Sequence, residues 1–368
     1  MLTERRDADT WTPAIAHLAN FENRTRLLRI AGAAILLMAA IGCATSKPLP
    51  TITEAQLGAS SPPTSPTPLP PAPPSPPEAV PFAIAPGPDG NLWYTDFRHS
   101  RISRITPEGH VSAFSLKPDG LAERVAAGPD NAIWFTDPAA NRIGRLALNG
   151  AEDYVPLPTP DSGPASIVLG PGDDLWFTEH AANRIGKVTP LGSVTEYALP
   201  SAGEPAGLAA GPDGDIYFAD NRGNRIERLA PDGRVDQFYL PNPGSLPNDV
   251  VEGSDGNLWF TELAAGRIGR LTPAGNLTEY PLPAKGPPLS LTDGPDGNLW
   301  VVIGHAHALC KVNPDGQASA VKLPASVTPA FIATGSDGNL WFTQPTGYIG
   351  RFSPSGVLTE FSAAPAHD

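Results

Sequence analysis

The sequence is poor in cysteine and in basic residues. It has 2 cysteines among 368 residues, and its 25 lysines and arginines are outnumbered by 38 aspartates and glutamates, which gives a formal net charge of −13. An acidic surface argues against a nucleic-acid partner and against electrostatic docking on anionic lipid. The two thiols are Cys43 and Cys310, so a modification of either one leaves no disulfide within the chain.

Long apolar runs are also scarce. The main one, IAGAAILLMAAIG at 30–42, follows three arginines and ends directly before Cys43. Thirteen residues are too few to span a bilayer comfortably, and a basic stretch, an apolar run and small residues before a cysteine resemble a lipoprotein signal peptide. We therefore expect residues 1–43 to be a signal segment with Cys43 as its lipidation site. A short, uncleaved membrane anchor is the alternative, and both predict a membrane-anchored protein outside the cytoplasm, as in a bacterial lipoprotein.

Proline is concentrated in the segment that follows. Residues 60–81 read SSPPTSPTPLPPAPPSPPEAVP, which is typical of an extended, semi-rigid spacer without a core of its own. We expect residues 44–78 to be a disordered spacer that holds the remaining chain, residues 79–368, away from the membrane.

Seven copies of one motif fill residues 79–368. The glycine that opens GPDGNLWFT and its variants recurs every 41 or 42 residues, at Gly87, Gly128, Gly170, Gly211, Gly253, Gly294 and Gly335. Each copy contains four short strand patterns separated by turns such as Asp-Gly and Thr-Pro-x-Gly. Four strands per 41 residues, repeated seven times, predict an all-β, seven-bladed β-propeller with four antiparallel strands per blade. We expect this domain to be a monomer.

The tryptophan of the repeated LWFT is predicted to pack between blades, because it recurs once per blade in mid-strand. The positions are Trp93, Trp134, Trp176, Trp259, Trp300 and Trp341, with Tyr217 in blade 4.

The repeat GPDGNLWFTE…NRIGRLTP.G.LTEYPLP resembles that of the streptogramin B lyases (virginiamycin B lyases) over all seven copies. The resemblance implies a seven-bladed propeller. It also implies a metal-assisted elimination, in which a His base, acidic residues and Mg²⁺ break the ester C–O bond of a cyclic depsipeptide antibiotic. In that family the N-terminal segment supplies the outer strand of the last blade. Here VLTEFSA at 357–363 has the pattern of that outer strand, so we expect the ring to close without a strand from the N-terminal segment.

The catalytic residues that the resemblance implies are not matched. The family's histidines directly follow the proline that opens the innermost strand, where this chain has Phe82, Glu123, Ala165, Ala206, Asn248, Leu289 and Ala330. A catalytic Glu lies one residue past WFTE, where this chain has Phe97, Pro138, His180, Asn221, Leu263, Gly304 and Pro345. A general base must lie within reach of its proton. His180 is the one histidine at an aligned position and is the candidate base of a divergent lyase.

The acid of WFT[DE] is accompanied by an arginine five residues later. The pairs are Asp96 with Arg101, Asp137 with Arg142, Glu179 with Arg184, Asp220 with Arg225 and Glu262 with Arg267. Blades 6 and 7 lack both members, with Ile303 and Ala308, and Gln344 and Tyr348, at these positions. Losing one partner alone would leave the other charge unpaired. We therefore predict five cross-strand salt bridges rather than a catalytic ring of acids.

Blade 6 departs from the other copies. It carries His305, His307 and Cys310, a combination that could bind zinc. Four suitably placed ligands are needed for a structural zinc site, so the interpretation that we favour is a divergent loop with a packed cysteine.

The mouth of the predicted funnel is roomy and largely apolar, with a few polar residues. Such a cavity is typical of a site for a small molecule or a protein partner, and its candidate residues are Phe82, Glu123, Arg124, Asn221, Asn248 and Asp249. Glu123 and Asp249 could also hold a hard cation such as Mg²⁺ through oxygen ligands, as in lactonase-type propellers. Two hypotheses follow: a tethered binding propeller, or an enzyme that is either a divergent lyase or an axial-metal hydrolase.

Overall fold

The computed structural model describes residues 78–117 and 120–365, so Cys43, the predicted signal segment and nearly all of the predicted spacer lie outside the described residues. Seven four-stranded antiparallel sheets make up this part of the chain, which confirms the seven-bladed β-propeller. Two short 3-10 turns, Pro171–Asp173 and Gly304–Ala306, are its helical segments. Among the described residues, no helix is both long enough and apolar enough to cross a membrane.

Each blade follows its predecessor along the chain. Blade 1 consists of β1 Pro81–Pro86, β2 Leu92–Asp96, β3 Arg101–Ile105 and β4 Val111–Ser115, and blade 2 of β5 Val125–Ala127, β6 Ala132–Asp137, β7 Arg142–Ala147 and β8 Glu152–Pro156. Blade 3 consists of β9 Pro164–Leu169, β10 Leu175–Glu179, β11 Arg184–Val188 and β12 Val194–Ala198, and blade 4 of β13 Pro205–Ala210, β14 Ile216–Asp220, β15 Arg225–Leu229 and β16 Val235–Tyr239. Blade 5 consists of β17 Pro247–Glu252, β18 Leu258–Glu262, β19 Arg267–Leu271 and β20 Leu277–Pro281. Blade 6 consists of β21 Ser290–Asp293, β22 Leu299–Ile303, β23 Ala308–Val312 and β24 Ala318–Lys322, and blade 7 of β25 Ile332–Thr334, β26 Leu340–Gln344, β27 Tyr348–Phe352 and β28 Leu358–Ser362.

The ring closes between blade 7 and blade 1 by side-to-side packing. All four strands of blade 7, including its outer strand β28, come from the C-terminal end of the chain, as the sequence predicted. The Tyr94 hydroxyl donates to the Ala363 carbonyl at 2.6 Å, and the Thr343 hydroxyl donates to the Phe82 carbonyl at 2.6 Å. Within the described residues, the ring is therefore closed by contacts between blades 7 and 1.

The repeated GxDG stretch packs against the tryptophan that follows it and accepts a hydrogen bond from its indole. In blade 1 the Trp93 indole N–H donates to Asp89 at 2.9 Å, and a Cβ on Gly87 would lie 2.2 Å from the indole ring. The same arrangement recurs in five other blades, with Tyr217 donating to Asp213 in blade 4. The aromatic rings are buried, as predicted. The copied residues therefore serve blade packing.

A large side chain also packs against a glycine between the two central strands of a blade. In blade 2 the buried Phe135 ring lies over Gly144, where a Cβ would come within 2.1 Å of it. Blade 6 replaces this pair with Val301 and Cys310, which are also register partners. Both are fully buried, so Cys310 fills the space left by the smaller side chain, in agreement with its predicted packing role.

The threonine of WFT connects neighbouring blades. The Thr136 hydroxyl accepts the backbone N–H of Arg124 at 3.1 Å in its own blade and donates to the Ala165 carbonyl of the next blade at 2.7 Å. Equivalent bridges are made by Thr95, Thr178 and Thr343. Each bridge fixes the start of an innermost strand, which is where the channel residues lie.

The predicted salt bridges form in three of the five blades. Arg101, Arg142 and Arg225 contact their buried aspartates at 2.7, 2.8 and 2.6 Å. The prediction was wrong for the glutamates of blades 3 and 5, whose carboxyl oxygens are buried and have no hydrogen-bond partner among the described residues. Among the described residues, no salt bridge joins Glu179 to Arg184, and Arg267 bonds to Glu279 at 3.0 Å.

The length of the acid and the residue on the outer strand explain this difference. Glu179 reaches past its arginine and lies over Gly186, where a Cβ would come 2.9 Å from its carboxyl oxygen. Gly186 is the register partner of Glu196 on β12, and blade 5 has the same arrangement with Glu262 and Glu279. Burial, reinforced by the second glutamate, raises the pKa of both Glu179 and Glu262 to about 7.

Blade 7 carries the amide counterpart of these carboxyl pairs. Gln344 replaces the first glutamate, and its Nε2 donates to Glu360 at 2.9 Å. A protonated glutamate has nearly the same shape and can also donate, through one O–H where the amide has two N–H groups. The nearby Ser162 and Ser245 hydroxyls donate elsewhere, to Asn141 and to the Asn242 carbonyl. We conclude that the buried glutamates of blades 3 and 5 occupy an environment that suits the neutral carboxylic acid.

Candidate functional site

The channel is lined by the second residue after the proline that opens each innermost strand, or, in blade 2, after the alanine that replaces this proline. In blades 1, 3, 4 and 5 a break in register separates this proline from the regular part of the strand, as between Pro205 and Leu208. Such a bulge re-aims the side chains beside it. We call the seven residues at this position the channel ring: Ala83, Arg124, Ser166, Gly207, Asp249, Ser290 and Phe331.

A cavity of about 150 Å³ occupies the channel at the level of this ring. Its lining includes every member of the channel ring except Gly207. In six of the seven blades the next residue adds to an apolar collar, formed by Ile84, Val125, Ile167, Leu208, Leu291 and Ile332. A cavity of roughly 150 Å³ is large enough for one benzene ring.

Arg124 provides the positive charge of the cavity. Its guanidinium carbon lies 4.1 Å from the centre of the Phe331 ring, which is a close cation–π contact. Phe331 is itself braced by Phe82, whose ring centre is 4.5 Å away and which stacks on Phe97 at 4.3 Å. No salt bridge joins Arg124 to a carboxylate of the described residues. No described residue accepts a hydrogen bond from the Arg124 guanidinium, so its N–H donors are available to a ligand.

Asp249 provides the negative charge. One of its oxygens accepts the Leu291 N–H at 3.3 Å, and no basic side chain of the described residues forms a salt bridge with it. Gly207 of the preceding blade makes room for this residue, since a Cβ there would lie 2.5 Å from the Asn248 carbonyl and 3.1 Å from an Asp249 carboxyl oxygen. Arg124 and Asp249 belong to blades 2 and 5, so the two charges face the channel from separate parts of the ring.

Four predicted site residues lie beside the cavity and not in its lining. Phe82 is only 3% exposed and supports the wall through its ring contacts. The side-chain amides of Asn221 and Asn248 donate to the Pro247 and Leu289 carbonyls of the next blade at 3.4 and 3.5 Å. Glu123 is partly buried, and loss of hydration raises its pKa to about 7 although neighbouring Arg124 acts in the opposite direction. Of the six predicted ligand-binding residues, the cavity brings together Arg124 and Asp249.

His180 lies at the boundary of blades 3 and 4. Its Nδ1 is 3.2 Å from the Pro205 carbonyl, so that nitrogen carries the proton in the hydrogen-bonded tautomer. Its Nε2 is 3.9 Å from the Glu204 carboxylate, and the ring is outside the cavity lining. The candidate base is therefore held against the next blade, away from the channel ring.

The residues present do not fit a metal ion. Among the described residues, no group of three or more His, Cys, Asp or Glu side chains is arranged to hold one. Glu123 and Asp249 do not form such a group, and neither do the blade 6 residues, because His307 is bonded to the Val327 carbonyl and Cys310 is buried. The described residues therefore offer no such group for the magnesium that the resemblance implies.

The sequence did not single out Phe331, Ser166 or Ser290 as site residues. The prediction used the first residue after the proline, whereas the cavity is lined by the second. The signal that could have identified them is variation within the repeats. The second position holds Arg, Ser, Asp or Phe in five blades and Ala or Gly in the other two, while the surrounding motif is nearly constant.

Comparison with known proteins agrees with this architecture. The sequence pattern described as the virginiamycin B lyase family matches residues 72–205 and 201–367. A streptogramin B lyase structure is 32% identical, with a TM-score of 0.72, over 78% of this chain and 95% of that chain. The virginiamycin B lyase from Staphylococcus aureus is 32% identical with a TM-score of 0.70, over 74% of this chain and 94% of that chain, and a catalytically inactive variant of it has been solved with quinupristin. No curated protein sequence matches the chain.

The fold and the repeat define a seven-bladed propeller. This chain belongs to the virginiamycin B lyase family.

Proposed function

We propose that this protein is a binding propeller whose central channel takes a small ligand, and that it does not perform the family's lyase reaction. One observation carries the proposal. The channel ring varies from blade to blade and holds two opposite charges without ion-pair partners among the described residues, while the scaffold around it repeats. A concave site into which a few polar groups converge is the usual form of a small-molecule site.

A fragment screen tests ligand binding. We would measure the melting temperature of the 79–368 domain with a library of small polar fragments, because a ligand that binds only the folded state raises it. Fragments that stabilise the wild type should leave the Arg124→Gln/Asp249→Asn variant unchanged. Fragments that stabilise both proteins equally would contradict binding in the channel.

The absence of a matched base supports the second half of the proposal. General base catalysis contributes about 10²–10⁴-fold, and no aligned position offers the family's histidine. We expect purified protein with Mg²⁺ to leave the quinupristin ring closed under conditions in which the Staphylococcus aureus lyase opens it. Ring opening that is abolished in His180→Ala would instead establish a divergent lyase with a relocated base.

An axial-metal hydrolase predicts a different result. A divalent cation would raise the melting temperature of the wild type and not of Glu123→Ala. We expect no such difference, since Glu123 and Asp249 form no ligand group.

We further propose that the propeller is tethered outside the cytoplasm through a lipid on Cys43, on the basis of the apolar stretch, the cysteine and the Pro-rich spacer. Metabolic labelling of the full chain with an alkynyl fatty acid in a bacterial host tests this. Label should be incorporated into the wild type and lost in Cys43→Ser, which still contains Cys310. Label that persists in the variant would contradict the proposal.

A further inference from the structure

We propose that the channel ligand is a small zwitterion of the α-amino acid type, which presents its carboxylate to Arg124, its ammonium to Asp249 and a short apolar side chain to the collar. This inference rests on the proposed binding function and specifies its chemistry.

The carboxylate end follows from the state of Arg124. Its guanidinium is held by Phe331 at 4.1 Å, and the channel supplies no carboxylate within salt-bridge distance among the described residues. Contact with the ring restrains the guanidinium, and the paired N–H donors of a guanidinium match the two oxygens of a carboxylate. A neutral ligand would leave this oriented charge without a counter-ion.

The ammonium end follows from Asp249. The carboxylate lines the same cavity, and its one hydrogen bond in the described residues is to the Leu291 N–H. An ionised carboxylate has about four acceptor sites, so acceptor capacity remains for a cationic donor. With a single positive and a single negative group from the ring, a ligand that carries both charges is matched without a net charge left in the channel.

The size limit and the collar define the remainder of the ligand. The cavity volume is about 150 Å³, and the collar of Ile, Val and Leu side chains borders it. This space suits a ligand of about benzene size with a short aliphatic group, and it excludes a large cyclic peptide from the channel.

Three matched probes test the charge requirement. L-Leucine carries both charges, 4-methylpentanoate lacks the amine, and 3-methylbutylamine lacks the carboxylate. We expect titration calorimetry to show leucine binding at least about tenfold more tightly than either single-charge probe, because a hydrogen bond to a charged group contributes about 1.5–3 kcal/mol.

The variants assign each contact. Arg124→Gln should weaken leucine and 4-methylpentanoate by about tenfold or more, and Asp249→Asn should weaken leucine and 3-methylbutylamine similarly. Arg104→Gln and Asp153→Asn, which change charges on the outer part of the blades, are the controls and should leave all three affinities unchanged. If Arg124→Gln does not fold, Arg124→Lys retains the charge but loses the bidentate geometry, so a several-fold loss for leucine and 4-methylpentanoate is expected.

Two results would overturn the inference. If leucine binds no more tightly than 4-methylpentanoate, both to the wild type and to Asp249→Asn, the proposed contact between the ammonium and Asp249 is contradicted. Binding in the channel itself would not be contradicted by this result. Failure of all three probes to bind would exclude this ligand class, and the fragment screen would then decide independently whether the channel binds small molecules at all.

Discussion

The scaffold and the channel ring of this propeller differ in how they vary among the seven blades. Scaffold contacts recur almost unchanged: the Trp–Asp hydrogen bond is made in five blades, with Tyr217 making it in a sixth. The channel ring, only a few residues away in each repeat, holds Ala, Arg, Ser, Gly, Asp, Ser and Phe. Packing between blades imposes the same requirement seven times, whereas a ligand on the axis contacts each blade differently. We therefore assign the repeated residues to stability and propose that the variable ones serve ligand binding.

The largest effect is expected from removing a scaffold tryptophan. Trp134→Ala should lower the free energy of unfolding by about 3–5 kcal/mol, because it leaves a cavity between blades. Ser166→Ala, a change in the channel ring, should shift it by less than about 0.5 kcal/mol. Urea unfolding of both variants measures the difference. Equal losses would contradict the division into scaffold and channel.

The second prediction concerns the two kinds of buried acid. Asp137→Asn breaks the ion pair with Arg142, and removing one partner of a buried pair costs about 3–5 kcal/mol. Glu262→Gln should be neutral or stabilising at neutral pH, since an amide at this position of blade 7 donates to Glu360. Urea unfolding at pH 7 compares the two variants, and a loss of similar size in Glu262→Gln would show that the blade 5 carboxyl is needed as an anion.

The pH dependence of stability separates the same two groups of blades. The pKa of Glu179 and of Glu262 is about 7 in the folded chain, compared with an ordinary glutamate pKa of 4.5. The charged neighbours of Glu179 are Glu196 and Arg184. Those of Glu262 are Glu279 and Arg267. Between pH 4.5 and 7 the folded chain holds protons that the unfolded chain releases. The free energy of unfolding should therefore fall as the pH rises through this window, by up to about 3 kcal/mol for each carboxyl, and level off above it.

Unfolding at pH 5 and at pH 8 checks this expectation. The Glu179→Gln/Glu262→Gln variant should lose less stability than the wild type between the two values. Gln344→Glu creates a third carboxyl pair with Glu360 and should lose more. Identical pH dependence in the three proteins would rule out protonated glutamates in blades 3 and 5.

A smaller effect is expected from the threonine bridges. Thr136→Val removes the acceptor of the Arg124 N–H and the donor to the Ala165 carbonyl, and it should cost about 1–3 kcal/mol. Blade 6 has Val302 at this position, so valine fits the site. Hydrogen exchange should show faster exchange of the Arg124 amide, and unchanged exchange would mean that the bridge does not order the channel ring.

The fold could be predicted from sequence in detail because its determinants are local and are repeated seven times. The glycine spacing identifies the blades, and VLTEFSA at 357–363 identifies the outer strand that completes blade 7. The salt bridges were predicted only in part, because the sequence pairs each acid with its arginine but does not show that glutamate extends past it. Gly186 and Glu196 decide that outcome, and their proximity to Glu179 depends on strand register and side-chain length together.

The channel was harder to predict because, in blades 1, 3, 4 and 5, a bulge separates the proline from the regular strand. Alternation along an ideal strand does not tell which of two adjacent residues faces the axis at such a break. Arg124 and Asp249 were nevertheless among the candidates, because they are charged residues beside the aligned position. Phe331 was missed, since its role arises from its contact with Arg124, which lies two blades away around the ring.

Crystals of the 79–368 domain soaked with small zwitterionic fragments test the central claim most directly. The account predicts electron density for a fragment inside the channel, with a carboxylate within hydrogen-bonding distance of the Arg124 guanidinium and an amine near Asp249. Soaks of crystals of the Arg124→Gln/Asp249→Asn variant should leave the channel without the fragment. Fragments that bind the outer faces of the blades in both crystals, and never the channel, would contradict the assignment of function to the channel ring.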